Sequence, residues 1–347
     1  MTTTVNTTSV RHRRAGRFFL CLAALLSASC TQQPIKLYGE AQGTYYSIIY
    51  YDRQGRDLQP QVDSLLDAFD LTASLWVDSS LLRRINAGTT DSVNTLFTEL
   101  LNLSQSMREY TGGAFDTRIG RIVQAWGFSF RRQEEPDSNA LAAMLAAARG
   151  NVSISNGRLV KENPATELDF NAIAQGYSVD LLAALFDSLG ISRYLIDVGG
   201  EVIARGAKAD GSPWRVGVER PADDSASAPI VHSIVALRDA SLVTSGSYRK
   251  YYERDGIRYS HTIDPATGRP VQHSLLSVSV VDSTAWRADA MATAYMVMGL
   301  DRGRQFIANN PQGPGTAAVL FIYDSCGIMK IYETNGFKEI RRQGDRR

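Results

Sequence analysis

The sequence contains few of the residues on which specialised scaffolds depend. It has 3 cysteines and 4 histidines in 347 residues, and its formal charge at pH 7 is only +1. All 36 acidic side chains lie beyond the first 29 residues, where only 33 basic side chains oppose them. This balance argues against a basic surface for nucleic acid, and so few cysteines argue against a disulfide scaffold. A hydrophobic content of 44% indicates an ordinary globular protein of one large or two modest domains.

The apolar run near the N-terminus is too short to cross a bilayer. Residues 18–26 are nine apolar residues, whereas a spanning helix needs about twenty. Arginines precede this run and the small residues 27–29 follow it, which is typical of a secretory signal. Because the segment ends on a cysteine, it resembles a bacterial lipoprotein signal. We predict a signal peptide over 1–29, a lipidated Cys30 and a tether over 30–37.

This signal implies a location in the bacterial cell envelope, lipid-anchored to a membrane on its periplasmic or extracytoplasmic side. A plain secreted protein is the alternative. Cys326 is then the only thiol left in the folded part. It lies in an Asp-Ser-Cys-Gly turn between two apolar runs, without a neighbouring histidine, which predicts a structural thiol.

Helical and strand-like patterns follow one another irregularly along the rest of the chain. Helices are predicted over 61–69, 94–110, 138–149, 177–189 and 284–299. Strands are predicted over 43–51, 152–154, 159–161, 168–170, 194–198, 214–218 and 234–237. This irregular order favours an α+β fold over a doubly wound sheet.

Three glycine-bearing loops each follow a predicted strand. They read NAIAQG (171–176), DVGGE (197–201) and TSGSYRK (244–250). Because glycine lets backbone N–H groups approach an anion closely, the three loops could converge on phosphates. None has the spacing of a P-loop or of a dinucleotide fingerprint. Ordinary turns at strand ends explain each loop equally well.

The segment SHTIDPATGRP, residues 260–270, carries one of the four histidines. Pro265 and Pro270 fix the backbone, and Gly268 permits a left-handed turn. The segment is therefore a rigid loop. His261 is either a functional residue held by this loop or a surface residue on a hairpin.

Asp289 and Thr293 lie four residues apart in the predicted helix RADAMATA. This spacing places a carboxylate and a hydroxyl on one helical face, and both are hard oxygen ligands suited to Mg²⁺. Two ligands do not complete a site, so a diphosphate, water or a backbone carbonyl would have to supply the others. The alternative is that Asp289 interacts with the helix dipole and Thr293 packs in the core.

Eight motifs occur in one order along residues 38–305: GEAQGTYYSI, TGGAFD followed by WGF, LDFNAIAQGYSVD, LIDVGGEV, WRVGVERP, LVTSGSYRKYY, SHTIDPATGRPV and RADAMATAYMVMG. Together they resemble the ApbE family of FAD:protein FMN transferases, and SHxIDPxTGxP and DAxAT are the most specific. The resemblance implies a single two-lobed α+β unit with mixed sheets flanked by helices and FAD in the cleft between the lobes. We place this domain at 38–340 and a basic tail at 341–347.

The resemblance also implies an Mg²⁺-dependent reaction. A threonine or serine of a target redox protein attacks the FMN-side phosphorus of FAD, AMP leaves, and FMN stays attached through a phosphoester. The implied magnesium ligands are Asp289, Thr293 and the carbonyl of Ala172. The implied contacts to FAD are Gln42, Trp76, Ala114, Phe115, Asp116, Gln175 and Ile263. His261 is the predicted base or proton relay, because an imidazole titrates near neutrality.

Two residues depart from the family pattern. Gln42 stands where methionine is common, and Gln175 stands where lysine is common. The same residues would serve an FAD pyrophosphatase that releases FMN and AMP, or a non-enzymatic FAD-binding lipoprotein. Whether the protein dimerises is open at this point.

Overall fold

Helices and strands are interspersed along the chain in the irregular order of an α+β fold. The computed structural model describes residues 1–2, 32–128, 136–221, 230–247, 251–254 and 257–345. The helices are α1 (Gln59–Ala73), α2 (Leu81–Asn86), α3 (Thr95–Tyr110), α4 (Gly120–Ala125), α5 (Ser138–Arg149), α6 (Ala174–Ser188), α7 (Ala285–Asn309) and α8 (Asn335–Asp345). The strands are β1 (Ile35–Ala41), β2 (Thr44–Tyr50), β3 (Val152–Ser155), β4 (Arg158–Lys161), β5 (Tyr194–Val198), β6 (Glu201–Arg205), β7 (Trp214–Arg220), β8 (Ile230–Leu237), β9 (Ala240–Gly246), β10 (Tyr251–Arg254), β11 (Ile257–Ser260), β12 (Ile263–Asp264), β13 (Arg269–Pro270), β14 (Leu275–Asp282), β15 (Ala318–Ser325) and β16 (Ile328–Glu333).

One large sheet joins strands that are far apart in sequence. Its spatial order is β1-β2-β5-β6-β9-β14-β15-β16, and every neighbouring pair is antiparallel. The hairpins β3–β4, β7–β8, β10–β11 and β12–β13 are separate two-stranded sheets. The sheet therefore brings the tight turns β1–β2 and β5–β6 and the end of β9 to one region, because adjacent antiparallel strands reverse direction.

Helices cover one face of this sheet and form the main core with it. α6 and α7 contact β6, and α7 also contacts β9 and β14. Large side chains from α1, α3, α6 and α7 fill the layer, among them the fully buried Phe69, Phe97, Phe186 and Tyr295. α3 begins where the Asn94 side chain accepts a hydrogen bond from the N–H of Phe97 at 2.8 Å, which satisfies one orphan donor of the first turn.

A second core covers part of the opposite face. It joins Trp214 of β7, Val235 of β8, Leu320 of β15 and Phe337 of α8. α8 runs to Asp345, and its Arg341 forms an ion pair with Glu333 at 2.7 Å. The predicted basic tail from 341 is therefore wrong as far as Asp345, because these residues continue an amphipathic helix that packs on β8.

The other predicted boundaries need smaller corrections. The tether over 30–37 ends earlier, because β1 begins at Ile35 and its Leu37 enters the main core. The strand predicted at 168–170 does not form, and only an isolated bridge joins Glu167 to Ile119. The loop predicted at 171–176 is shorter, because α6 already begins at Ala174.

The α+β prediction is confirmed by the large antiparallel sheet flanked by helices. A helix forms at each of the five predicted segments: α1 and α5 contain theirs completely, α5 at the predicted bounds 138–149, and the other three each omit one terminal residue of the prediction. Cys326 is an exposed free thiol in the turn between β15 and β16, as expected. The signal peptide and Cys30 lie outside the described residues. Within the described residues, no helix is long and apolar enough to cross a membrane.

Candidate active site at the junction of α6 and α7

The two helices α6 and α7 make a backbone-level contact at Gly176. A Cβ atom added to Gly176 would lie 2.5 Å from the carbonyl oxygen of Ala285 and 2.8 Å from the Cβ of Asp289. Only glycine fits this approach without moving a helix. The close contact lets the N–H of Gly176 donate a hydrogen bond to Asp289 Oδ2 at 3.0 Å.

Asp289 is a buried carboxylate, only 5% exposed. Burial raises its pKa from 3.8 to about 7; the hydrogen bond from Gly176 opposes this rise, and the negative charge of Asp180 adds to it. No arginine or lysine in the described ranges forms an ion pair with Asp289. A buried acid without a cationic partner is the environment that a bound divalent cation would neutralise.

Thr293 lies one turn further along α7, on the face that carries Asp289. Its Oγ1 is 3.5 Å from Ser245 Oγ of β9. Within the described ranges, no group of three or more His, Cys, Asp or Glu residues is arranged to hold a metal ion. A cation here would therefore use Asp289, hydroxyl and carbonyl oxygens, and oxygens of its ligand. This donor set fits Mg²⁺, which usually binds one or two carboxylates together with phosphate and water.

The three glycine-bearing loops meet around this junction. Gln175, in the first turn of α6, donates from Nε2 to the carbonyl of Val198 at 2.9 Å. Gly199, with φ +61°, follows Val198 and lies against the side chains of Gln175 and Thr44. The third segment, 244–250, joins them through Ser245 at the end of β9 and its contact to Thr293. Residues 248–250 of that loop lie outside the described residues.

Ala172, the predicted carbonyl ligand, lies in the turn just before α6. This turn is closed by hydrogen bonds from the N–H groups of Ile173 and Ala174 to the carbonyl of Phe170, at 3.0 and 2.8 Å. The sequence Ala172 to Gly176 therefore links the predicted carbonyl ligand to the residue that holds Asp289. The structure brings Ala172, Gln175, Asp289 and Thr293 into one neighbourhood.

Gln42 lies at the tip of the β1–β2 hairpin with φ +54°. Burial raises the pKa of the nearby Asp70, and the main-chain N–H of Gln42 opposes this rise. The side-chain Nε2 is buried and has no hydrogen-bond partner. An orphaned buried amide of this kind is expensive unless a ligand or water satisfies it. Gln42 is thus well suited to contact a polar ligand.

Trp76 lies in the turn between α1 and α2. The side chain of Trp76 is 58% exposed. Its main-chain N–H donates a 3.0 Å hydrogen bond to Ser74 Oγ, which fixes the backbone. An exposed indole on a fixed backbone can stack on a planar ligand.

Fewer atoms of the segment Ala114 to Asp116 are free to contact a ligand than the sequence indicates. Phe115 is 1% exposed and belongs to the main core, so only its backbone could meet a ligand. The Asp116 carboxylate binds Arg118 at 2.6 Å and Arg108 at 3.1 Å. Asp116 therefore serves first to order Arg108 in the last turn of α3 and Arg118 just before α4.

His261 and Ile263 belong to the β12–β13 hairpin, which docks on α4 and α5. Ile263 is 4% exposed and packs in a small core with Trp126 of the α4 end. Trp126 Nε1 donates to the carbonyl of Gly268 at 2.7 Å. The His261 ring is edge-on to Phe128, with 6.5 Å between ring centres. The Ile263 side chain is thus part of the core, and the role of His261 as a base stays a prediction.

Two acids near the junction, the buried Asp169 and the half-buried Asp180, were missed in the sequence. Asp180 accepts hydrogen bonds from the N–H groups of Ala285 and Trp286, at 3.0 and 2.8 Å, and thereby caps α7. Burial raises the pKa of both Asp180 and Asp169 to about 6. The sequence signal for Asp180 was its spacing, because a residue four positions after Gly176 lies on the same face of α6. Asp169 stands between two apolar residues, which was its only signal.

The class defined by this geometry is an α+β protein with a buried acidic site at a helix junction ringed by glycine loops. The model of the ApbE family matches residues 42–320. A Vibrio cholerae serotype O1 protein named FAD:protein FMN transferase is 34% identical over 336 residues, covering 92% of this chain and 98% of its own. The Escherichia coli K12 protein of the same name is 35% identical over 314 residues, covering 84% and 89%.

Solved structures agree with the sequence comparison. The flavin transferase ApbE from Vibrio cholerae superposes with a TM-score of 0.77 at 32% identity, covering 89% of this chain and 99% of its own. The apo form of the Pseudomonas stutzeri flavinyl transferase ApbE gives a TM-score of 0.78 at 32% identity, covering 89% and 97%. The chain belongs to the ApbE family.

Proposed function

We propose that this protein transfers the FMN moiety of FAD to a threonine or serine of a target redox protein and releases AMP. Family membership supports the reaction class. The observation that carries the proposal to this chain is the buried Asp289, which has no cationic partner among the described residues and is held by Gly176 where the glycine loops meet. A transferase of phosphoryl-type groups needs charge neutralisation and positioning more than it needs covalent chemistry.

Asp289, Thr293 and the carbonyl of Ala172 would hold Mg²⁺. When bound, the ion would neutralise charge on the diphosphate of FAD. Gly176 fixes the orientation of the Asp289 carboxylate, because its N–H donates a hydrogen bond to Oδ2. The N–H groups of the glycine loops bind phosphate oxygens, and the Gln42 amide gives its unused hydrogens to the dinucleotide.

The transfer step forms one bond and breaks one. The acceptor oxygen bonds to the FMN-side phosphorus while the bond from that phosphorus to the bridging oxygen of AMP breaks. His261 removes the proton of the acceptor hydroxyl, and AMP leaves with the bridging oxygen. Trp76 stacks on a planar ring of FAD, and the backbone of Ala114 and Phe115 together with Asp116 borders the dinucleotide.

We further propose that the mature chain is anchored through a lipid on Cys30 and acts on acceptor domains outside the cytoplasm. The sequence pattern of residues 1–30 supports this location. Metabolic labelling with a palmitate analogue tests the anchor. Label retained by the wild type and lost in Cys30→Ala is expected, and equal labelling of the two would refute it.

The decisive experiment uses the purified protein, FAD, Mg²⁺ and a candidate acceptor domain. Flavin fluorescence that stays with the acceptor on a denaturing gel is expected for the transferase. Release of FMN and AMP with no labelled acceptor would identify an FAD pyrophosphatase instead. Bound FAD with neither product would identify a flavin-binding protein. His261→Ala should lower the rate of labelling about 100-fold or more while FAD still binds.

A further inference from the structure

Helix α2 lies between two segments of the candidate site. The turn that carries Trp76 precedes it in sequence, and its last residue contacts the segment that leads to Ala172. A helix of six residues is about 9 Å long. Each end of α2 is tied to one of the two segments by a single polar side chain.

Ser80 makes the connection at the N-terminal end. It is fully buried, its Oγ donates to the carbonyl of Ser74 at 2.6 Å, and the same Oγ accepts from the N–H of Arg83 at 3.1 Å. The N–H of Ser80 also donates to the carbonyl of Val77 at 3.0 Å. Ser80 thereby starts α2 and closes the turn with Trp76 at its tip.

Asn86 makes the connection at the C-terminal end. Its Nδ2 donates to the carbonyl of Leu168 at 2.7 Å, and its Oδ1 accepts from the N–H of Leu168 at 2.8 Å. An amide side chain presents one donor and one acceptor side by side, as a neighbouring strand does in a sheet. The residues around Leu168 have a strand-like sequence and pair with backbone on one side only: the N–H of Asp169 donates to the carbonyl of Thr117 at 2.8 Å, and the carbonyl of Glu167 accepts from the N–H of Gly120 at 3.0 Å. On the other side, at Leu168, Asn86 takes the place of a strand partner.

The segment pinned by Asn86 leads directly into the site. Phe170, two residues after Leu168, accepts the hydrogen bonds that close the turn containing Ala172. Displacement of Leu168 would therefore move the Ala172 carbonyl and, through the start of α6, the N–H of Gly176. The geometry points to Asn86 as a positioning residue that sets the Ala172 turn relative to the Trp76 turn. This inference rests on the proposed function for its link to FAD, but not for the contact itself.

The test compares Asn86→Ala with Asn94→Ala. Asn94 is a matched control because it also makes two side-chain hydrogen bonds, to the N–H of Phe97 at 2.8 Å and to Thr72 Oγ1 at 3.0 Å. Both variants lose two side-chain hydrogen bonds, so both should lower the melting temperature. Hydrogen exchange separates them. Asn86→Ala should speed exchange of the amides from 168 to 176 about tenfold or more, and Asn94→Ala should leave that segment unchanged.

A second measurement links the positioning role to the site. The dissociation constant of FAD, followed by quenching of flavin fluorescence, should rise about tenfold in Asn86→Ala and less than twofold in Asn94→Ala. Asn86→Asp keeps the acceptor for Leu168 but loses the donor, so its effect should be intermediate. Equal exchange of 168–176 in the two alanine variants would overturn the inference. If the wild type binds no FAD and labels no acceptor, the proposed function fails, and the exchange comparison still decides the role of Asn86.

Discussion

The α6–α7 junction and the hairpin at 261–270 both have distinctive sequences, yet they are held in place in opposite ways. At the junction, two helices touch through the backbone of Gly176, and the enclosed groups are carboxylates whose pKa burial raises. The hairpin packs on α4 and α5 through the apolar Ile263, and Trp126 Nε1 donates a hydrogen bond to its Gly268 carbonyl. Burial at the junction therefore disfavours the charged form of its carboxylates, whereas the hairpin that carries His261 is held by apolar packing and a neutral hydrogen bond.

Asp289→Asn tests the junction most severely. It keeps the shape and an acceptor for Gly176 but removes the charge that a magnesium ion requires, so acceptor labelling should fall at least about 100-fold. Mg²⁺ should raise the melting temperature of the wild type in the presence of FAD and leave that of the variant unchanged. Asp187→Asn, which alters a carboxylate bonded to Tyr194 near the other end of α6, is the control. Full labelling by Asp289→Asn would reject the metal assignment.

Gly176→Ala tests the helix contact itself. The added Cβ would have to displace the backbone of Ala285, and overpacking of this kind costs about 1–3 kcal/mol in free energy of unfolding. The same shift should abolish most labelling. Gly217→Ala is the matched control, because its Cβ would lie at an ordinary 3.4 Å from the Val231 side chain. Urea unfolding that shows equal loss in the two variants would contradict the close contact.

The pH dependence of stability tests the burial of acids beside the junction. Asp169 has a pKa of about 6 in the folded state against 3.8 when unfolded, so the folded protein binds its proton more tightly. Its contribution to the free energy of unfolding is therefore greatest below about pH 4 and is lost as the pH rises to about 6. Asp169→Asn should remove this loss and gain up to about 3 kcal/mol above pH 6. Urea unfolding from pH 4 to 8 would contradict the prediction if the two curves stay parallel.

Trp126→Phe tests the hairpin, where the smallest effect is expected. It removes the hydrogen bond to Gly268 and leaves a buried carbonyl unsatisfied, which should cost about 1–2 kcal/mol in free energy of unfolding. Hydrogen exchange over 261–270 should become faster. Trp214→Phe loses the corresponding bond to Arg205, 3.0 Å long, and should cost stability without affecting that segment. Equal exchange in both variants would show that the bond from Trp126 does not hold the hairpin.

Sequence periodicity predicts the helices and strands well, but it does not predict which distant residues they contact. The helix at 138–149 was predicted at its exact bounds because a cap, an apolar face and a terminal glycine agree there. The residues 168–170 suit a strand, but a strand needs neighbours, and here residues 117–120 pair on one side while the Asn86 side chain bonds Leu168 on the other. Residues 341–345 read as a basic tail because their contact with β8 is not visible locally.

The features of the candidate site also fall into those that local spacing predicts and those that depend on distant residues. Asp289 and Thr293 could be paired in advance, because helical spacing alone puts them on one face. The link from Asp289 to Gly176 spans 113 positions, and the cap from Asp180 to α7 spans more than 100, so no local pattern contains them. The resemblance to a family supplied Gln42 and Trp76, while the orphaned amide and the exposed indole became evident only in three dimensions.

By itself, the sequence determined the α+β class, most helices and the face shared by Asp289 and Thr293, because these depend on residue type and short-range periodicity. Only the tertiary structure decided that Asp289 is buried with no cationic partner among the described residues, that Gly176 meets α7 while Gln175 meets Val198, and that Phe115 and Ile263 belong to the core. Burial, pKa and cross-chain hydrogen bonds are properties of neighbours that the fold supplies. Local sequence patterns therefore cannot predict these properties.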